Sequence, residues 1–280
     1  MRAKKRMIVV ISYVVLILVA LISIFPLVYA VMIATKKPVD AFSMSFKWIY
    51  TPIFDNFKTL WIEKGFTKYL YNTVVVTGCC VLISVPTATL GAYGLIRNGG
   101  KFATRILNST LLLRMFPQML LAIPYFIIAT NFGLADTKFI LVVIVVASNQ
   151  PFALWLMRGF LITIPPELDE AARIDGCNMV QTVTKVILPV AKPGIATASI
   201  FTFLLSYNEY LFALILTQKK AMTLPVAIGQ YGAEDLSYWT LSAAGVVSIV
   251  IPICIVMIFL QKYLVKGMAV SYTHLRAHET

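Results

Sequence analysis

Six long apolar runs divide this chain and limit what it can fold into. A helix needs about 20 mainly apolar residues to cross the hydrocarbon core of a bilayer, which is about 30 Å thick. The runs that reach this length cover residues 8–34, 69–96, 106–130, 139–162, 193–217 and 239–263. No strand-like alternation of apolar and polar residues competes with this pattern. We therefore predict an all-α polytopic membrane protein with six transmembrane helices.

The composition favours the same class and argues against others. Hydrophobic residues make up 59% of the chain and charged residues 13%, whereas soluble domains have about 45–50% and about 25%. The net charge of +12 does not indicate a nucleic-acid partner, because no basic face with interleaved aromatic residues emerges. The four cysteines have no metal-ligand spacing, so we expect no bound metal.

The lysines and arginines near the helix ends predict the orientation. Basic residues cluster at 2–6, before the first run, and at 97–105, between the second and third runs. Such clusters mark the cytoplasmic side, so six spans place both termini and the segment 164–189 in the cytoplasm. Residues 36–68 and 218–240 are then the larger external segments. The first run is longer than the 7–15 apolar residues, roughly, of a cleaved signal peptide, so we expect it to be retained.

The segment 164–189 is predicted to fold as a pair of short helices. Two prolines at 165–166 suit a helix start, since they lack N–H groups that would be unpaired there. Gly176 suits a left-handed stop, Asn178 can cap a second helix, and Pro189 is expected to end the element. The first turn is acidic, which favours the helix dipole; its acids are Glu167, Asp169 and Glu170.

One face of the first short helix carries small residues and an acid. Leu168, Ala171, Ala172 and Asp175 recur there at helical spacing. Small side chains let another protein's backbone approach closely, so the pattern favours a docking surface. A solvated acidic loop between two membrane helices is the alternative that spacing alone leaves open.

The same segment resembles the EAA loop in membrane subunits of ABC importers. Glu170, Ala171 and Ala172 are followed by Gly176 at the expected distance, and then by Val186-Ile187-Leu188-Pro189. The only departure is Val186 in place of isoleucine. The resemblance implies a type I ABC importer transmembrane domain with a cytoplasmic coupling helix. The residues it implies for ATPase docking are Glu170, Ala171, Ala172, Asp175, Gly176, Leu188 and Pro189.

Further stretches are similar to carbohydrate-importer permeases. These are Leu204–Leu211 (LLSYNEYL), Thr223-Leu224-Pro225, and Phe259–Gly267 (FLQKYLVKG). The overall likeness is to the smaller permease subunit of maltose-type importers. It implies one permease domain over residues 1–268, with a core at about 70–268, in a bacterial or archaeal inner membrane.

The resemblance also implies partners and a mechanism. The expected partners are a second homologous permease, two ATP-binding subunits and an extracytoplasmic solute-binding protein, with lipid around the spans. No G-x-x-x-x-G-K-[ST] phosphate loop occurs in the sequence, and no catalytic set of residues is evident. We therefore expect this chain to bind no cofactor, and ATP and Mg²⁺ to bind to the separate ATPase.

Several polar residues fall within the apolar runs, where a charge costs about 2.5–3.5 kcal/mol at a helix centre. They can line a sugar path, or hold the helix bundle together by hydrogen bonds. Arg114 and Gln118 are one helical turn apart and should share a face, and a direct ion pair between Arg114 and Glu209 requires Arg114 to reach outward. The candidate path residues are Arg114, Gln118, Asn149, Gln150, Asn208 and Glu209.

The external segment 218–240 is expected to face the solute-binding protein, with Gln230, Tyr231 and Trp239 as contacts. The tail 269–280 does not match the family's usual ending and can be foreign to the natural protein. Its two histidines, His274 and His278, form at most a weak metal pair. Two other functions stay open: an ion-gradient-driven secondary carrier, and a membrane anchor that transports nothing. The sequence does not name the sugar.

Overall fold

The computed structural model describes the backbone of residues 2–41, 43, 47–234 and 238–277, and the side chains of residues 6–41, 43, 47–231 and 238–261. Every regular element within these ranges is a helix. The helices are α1 (Arg2–Ala34), α2 (Pro38–Ala41), α3 (Asp55–Lys58, continued by a π-helical turn at Thr59–Glu63), α4 (Phe66–Arg97), α5 (Gly100–Met115), α6 (Gln118–Asn131), α7 (Lys138–Leu161), α8 (Glu167–Ile174), α9 (Met179–Gln181, continued by a π-helical turn at Thr182–Ile187), α10 (Leu188–Val190), α11 (Lys192–Tyr207), α12 (Leu211–Leu216), α13 (Leu224–Glu234) and α14 (Trp239–Ala277).

Four single helices are long and apolar enough to cross a membrane, namely α1, α4, α7 and α14. Two bent helix pairs are further candidates: α5 with α6, at 92°, and the Met179–Val190 segment with α11, at 77°. By length and composition the described residues thus hold between four and six candidate spans, six if each bent pair crosses once.

The predicted third span, 106–130, is not one continuous helix. Phe116 is extended between α5 and α6, with φ −68° and ψ 129°. The residue before a proline is disfavoured in the helical region, and Pro117 follows Phe116. The predicted fifth span, 193–217, is also interrupted, because α11 ends at Tyr207 and α12 begins at Leu211.

The chain forms two compact units, of which the first comprises Met1–Thr67 and Ala227–Pro252. A buried amide organises this unit: Asn56 Nδ2 donates to the carbonyl oxygens of Ala34 (2.8 Å) and Lys36 (2.9 Å). Its Oδ1 accepts from the Thr240 hydroxyl at 3.2 Å. Asn56 therefore satisfies carbonyls at the end of α1, where a helix has no N–H groups left to offer.

The second unit comprises Lys68–Val226 and Ile253–Thr280. Its core packs α4 and α7 against α5, the π-helical turn after α9, and the start of α11. Trp155 Nε1 joins α7 to α5 by donating to the Leu107 carbonyl at 3.1 Å. The contact of α7 with α11 is especially close at Gly194, where a Cβ atom would lie 2.6 Å from Phe160 Cγ.

Candidate coupling site and polar groups of the spans

The predicted coupling element is the segment 164–189, and its first helix, α8, begins and ends where the sequence predicts. Pro166 is its N-cap, and three acids occupy its first turn. At its other end Gly176 has φ +83°, and its N–H donates to the Arg173 carbonyl while the Cys177 N–H donates to Ala172. These two bonds form a Schellman motif, which needs a left-handed residue at the position of Gly176. The prediction of a glycine stop is confirmed.

The second coupling segment also begins as predicted and ends within one residue of the predicted end. Asn178 and Gln181 form a capping box, in which each side chain accepts from the other residue's N–H group. The helical segment then continues past Leu188 and Pro189 to Val190 and bends by 77° at the junction with α11. Pro189 thus lies one residue before the end of the segment, which agrees with the prediction that it ends the element.

The inner face of α8 is held by the C-terminal end of α4. Asp169 is only 6% exposed; its Oδ1 accepts from the Tyr93 hydroxyl, and its Oδ2 pairs with Arg97 Nε at 2.8 Å. Arg97 Nη2 also donates to the Ile164 carbonyl at 3.1 Å. We call Tyr93, Arg97 and Asp169 the α4–α8 clamp. Sequence reasoning noted the acid but not its partners, because a contact across 76 positions has no local signal.

Two residues predicted to seat a partner point instead into the chain's own core. Ala172 is 4% exposed, and Leu188 is half-buried against the core cluster that also receives Leu168. Their side chains therefore support the coupling element from beneath. Because Ala172 is small, α8 can lie close to the core. The sequence analysis instead explained the small residue by the close approach of a partner's backbone.

The outer face of the coupling element combines acids with apolar side chains. Glu170, Ala171, Asp175, Gly176 and Pro189 are exposed. Sequence reasoning missed three large apolar residues on the same element, Ile174, Met179 and Val180, which are 87%, 62% and 70% exposed. Exposed apolar patches mark interaction sites. The sequence alone could not single them out, because the same insert also contains Leu168, Val183, Val186, Ile187 and Leu188.

Arg114 and Gln118 lie on different helices, at the break between α5 and α6. The prediction that they share one helical face was wrong, because Pro117 interrupts the helix between them. They nevertheless line one cavity of about 410 Å³, together with Tyr125, Ser148 and Pro151. The Arg114 guanidinium lies 4.5 Å from the centre of the Phe152 ring, and it makes no ion pair with Glu209.

The other polar residues of the spans bind mainly within the chain. Gln150 Nε2 donates to the Thr87 hydroxyl at 3.0 Å, which joins α7 to α4. Asn208 Nδ2 donates to the Leu204 carbonyl at 2.9 Å, and Glu209 Oε1 accepts from the N–H of Phe212 at 3.0 Å. Asn149 is buried. Each of these three hydrogen bonds is made within the chain: that of Gln150 joins two helices, and those of Asn208 and Glu209 lie at the break between α11 and α12.

The residues predicted to meet a solute-binding protein lie around α13, in the first unit. The segment 218–240 is not a plain loop, since α13 occupies Leu224–Glu234. Gln230 and Trp239 are exposed, whereas Tyr231 is half-buried with its ring centre 5.6 Å from that of Phe66. The structure describes no group of three metal-ligating side chains in the ranges given above. The side chain of His274 and the whole of His278 lie outside those ranges.

Comparison with known proteins identifies the family. The family described as binding-protein-dependent transport system inner membrane component matches residues 81–270. The chain belongs to this family. The family is that of a transporter's inner membrane component, so the permease is a multi-pass inner-membrane protein. The predicted resemblance of the chain to importer permeases is confirmed at the level of the family.

Relatives extend the match over nearly the whole permease. A probable ABC transporter permease protein, y4oR of Sinorhizobium fredii, is 34% identical over 90% of this chain and 91% of its own length. The trehalose/maltose transport system permease protein MalG of Thermococcus litoralis is 30% identical over 90% of this chain and 92% of its own. A solved chain of a bacterial ABC transporter for alginate import has the same fold, with a TM-score of 0.76, 24% identity and coverage of 93% of this chain and 97% of its own.

Proposed function

We propose that this chain is a permease subunit of a binding-protein-dependent ABC importer for sugars or oligosaccharides. It forms half of the translocation path across six spans, with both termini in the cytoplasm, and it couples to a separate ATPase. The observation that carries the proposal is the coupling element, which is anchored on its inner face and exposed on its outer face. The sugar class is supported by relatives such as the trehalose/maltose permease.

The outer face of the coupling element is the docking surface for an ATP-binding subunit. Ile174, Met179 and Val180 enter an apolar groove, while Glu170 or Asp175 pairs with a basic residue at its rim. Such a centre of buried apolar side chains with a polar rim is the usual anatomy of an interface. Gly176 fixes the turn, and Ala171 permits close approach. ATP binding closes two such subunits, and the motion reaches the spans as a rigid-body rotation.

The cavity beside the α5–α6 break is part of the sugar path. Arg114, Gln118 and Ser148 supply polar groups and Tyr125 an aromatic wall, a combination typical of small-molecule sites. Asn149, Gln150, Asn208 and Glu209 contribute less, since most of them bind within the chain. On the extracytoplasmic side of the membrane, Gln230 and Trp239 contact the solute-binding protein, and Tyr231 supports them by packing on Phe66.

The proposal is tested first by purifying the permease from its native membrane in mild detergent and identifying stoichiometric companions by mass spectrometry. We expect a second permease and an ATPase with a phosphate loop, and the loss of the ATPase in Glu170→Lys. The matched control is Glu63→Lys, the same charge reversal at an exposed residue outside the coupling element. Purification of the chain alone or as a homo-oligomer would contradict the proposal and favour a gradient-driven carrier.

The path is tested with Arg114→Gln in the assembled importer. Removing a charged hydrogen-bond donor costs about 1.5–3 kcal/mol, so uptake of the transported sugar should fall at least about tenfold while the ATPase stays bound. Trehalose, maltose and maltodextrin are the first sugars to assay. The control is Arg158→Gln, since Arg158 also lies beside an aromatic ring, that of Trp155 at 5.2 Å, but outside this cavity. Equal uptake in both variants would remove Arg114 from the path.

The external contact is tested with a photoreactive amino acid in place of Gln230. We expect a cross-link to the solute-binding protein in intact cells and none from the same amino acid at Thr184, an exposed position of the coupling element. Cross-linking from Thr184 and not from Gln230 would reverse the proposed orientation.

A further inference from the structure

We propose that α4 is the element that links the coupling helix to the segment preceding α13, through side-chain bonds at each of its ends. The inference rests on the proposed function, because it assigns a route between the ATPase docking surface and the opposite side of the membrane. It makes Asp169 and Asn72 positioning residues that act through α4 and contact neither ATP nor solute.

The first attachment is the α4–α8 clamp. A buried carboxylate needs partners for both oxygens, and Asp169 finds them in Tyr93 and Arg97 on successive turns of one helix. Arg97 adds a third bond, to the carbonyl of Ile164 just before α8. The Arg97 Nε–Asp169 Oδ2 contact is an ion pair at 2.8 Å, and the bonds from Tyr93 to Asp169 and from Arg97 to Ile164 are hydrogen bonds. A displacement of α8 by an ATPase is therefore passed to the end of α4 and cannot be absorbed by a flexible loop.

The second attachment lies at the other end of α4. Asn72, which is 1% exposed, donates through Nδ2 to the carbonyls of Lys220 and Met222, both at 2.9 Å. The Thr73 hydroxyl accepts from the N–H of Leu224, the first residue of α13, at 2.8 Å. Lys68 Nζ donates to the Lys219 carbonyl at 2.7 Å. Four bonds thus tie the segment 219–224 to the first turns of α4.

The two attachments are joined by unbroken helix. Arg97 lies 25 positions after Asn72, which corresponds to about 38 Å at 1.5 Å per residue, more than the hydrocarbon thickness of about 30 Å. Pro86 lies within this stretch, yet α4 remains helical through it. A rigid secondary-structure element can carry coupling over such a distance. Binding free energies coupled in this way act in both directions, so contact at 219–224 also affects the ATPase.

The route is tested in the complete importer reconstituted in lipid nanodiscs. ATP hydrolysis is measured in the presence of trehalose or maltose, with and without the solute-binding protein identified by its cross-link to this chain. Asp169→Asn and Asn72→Ala should each leave the complex assembled and basal hydrolysis within about twofold, and reduce the stimulation by the binding protein at least about fivefold. The double variant should be no worse than the stronger single variant, since both interrupt one route.

Controls separate this inference from the proposed function. Glu167→Gln makes the same acid-to-amide change at an exposed residue of α8 and should keep full stimulation. Tyr93→Phe removes one donor of the clamp but keeps the ring, so it carries the test should Asp169→Asn fail to fold, and it should lower stimulation partially. Unchanged stimulation in Tyr93→Phe and Asn72→Ala, or additive losses in the double variant, would overturn the route. A wild-type chain without any ATPase would instead overturn the proposed function.

Discussion

Replacing Gly194 by alanine tests a close contact between α7 and α11 in the second unit. A Cβ atom at position 194 would lie 2.6 Å from Phe160 Cγ and 2.8 Å from Phe160 Cβ, which is far inside the normal carbon–carbon contact distance of about 3.5–4.0 Å. Neither atom is the mobile end of a side chain, so α7 and α11 must separate or the ring must leave its place. Forcing an extra methyl group into a packed contact costs about 1–3 kcal/mol.

The contact lies where the coupling segment turns into α11, so the same change should affect stability and coupling together. For Gly194→Ala we expect the thermal unfolding midpoint of the detergent-solubilised chain to fall by several degrees, since 1 kcal/mol shifts it by about 2–4 °C in proteins of this size class. Gly159→Ala is the matched control, because Gly159 is the neighbour of Phe160 on α7 and its added Cβ would meet no atom within 4 Å.

A second substitution identifies the cause of the expected loss. Combining Gly194→Ala with Phe160→Ala removes the ring that the new methyl group meets, so the double variant should lose less stability than the two single losses added together. Equal midpoints for Gly194→Ala and Gly159→Ala would refute the reasoning. Strictly additive losses in the double variant would show that the methyl group and the ring do not compete for one space.

Two further predictions concern turns. Asp136, at φ +57°, accepts hydrogen bonds from the N–H groups of residues 218–221; burial raises its pKa, but these bonds outweigh burial and set the pKa at about 2. Because the folded pKa is lower than that of an unfolded chain, this stabilisation is present above about pH 4 and is lost as the pH falls toward 2. Asp136→Asn should lower the free energy of unfolding by about 1–3 kcal/mol at pH 7. It should also reduce the difference between the thermal unfolding midpoints at pH 3 and pH 7. An unchanged difference between these midpoints would contradict this. Gly176→Ala places a Cβ atom in the left-handed region at a cost of about 1–2 kcal/mol, whereas Gly176→Asn should cost less. The amount of ATPase that co-purifies with the chain should therefore fall in the order Gly, Asn, Ala at position 176. Equal amounts in all three would show that the turn does not matter for docking.

Local chemistry made the coupling element predictable from sequence. The stop at Gly176 and the cap at Asn178 depend only on residues within a few positions, and both formed as expected. The helical class followed from run length and composition in the same way. These features need no knowledge of which distant residues meet.

The missed features all depend on tertiary contacts or on a backbone break. Asp169 and Glu170 are adjacent acids with equal local claims, and only the position of α4 decides that Asp169 is buried while Glu170 is exposed. The third run is apolar on both sides of Pro117, so its length hides a 92° bend. Proline within a membrane helix often leaves it continuous, and the sequence could not distinguish the two outcomes.

The break at Phe116–Pro117 and the nearby Arg114 each indicate, for a separate reason, that the proposed sugar path runs along the α5–α6 break. Irregular backbone at membrane depth is tolerated only where protein covers it or where it lines a water-filled cavity. Arg114 is exposed at that break and forms no ion pair with a described residue, and facing lipid it would cost about 2.5–3.5 kcal/mol. Gln150, Asn208 and Glu209, by contrast, find hydrogen-bond partners within the chain, so their polarity needs no solute to explain it. We therefore propose that the second permease and the water-filled path lie against the α5–α6 break, on the face where both the backbone and the charge require cover.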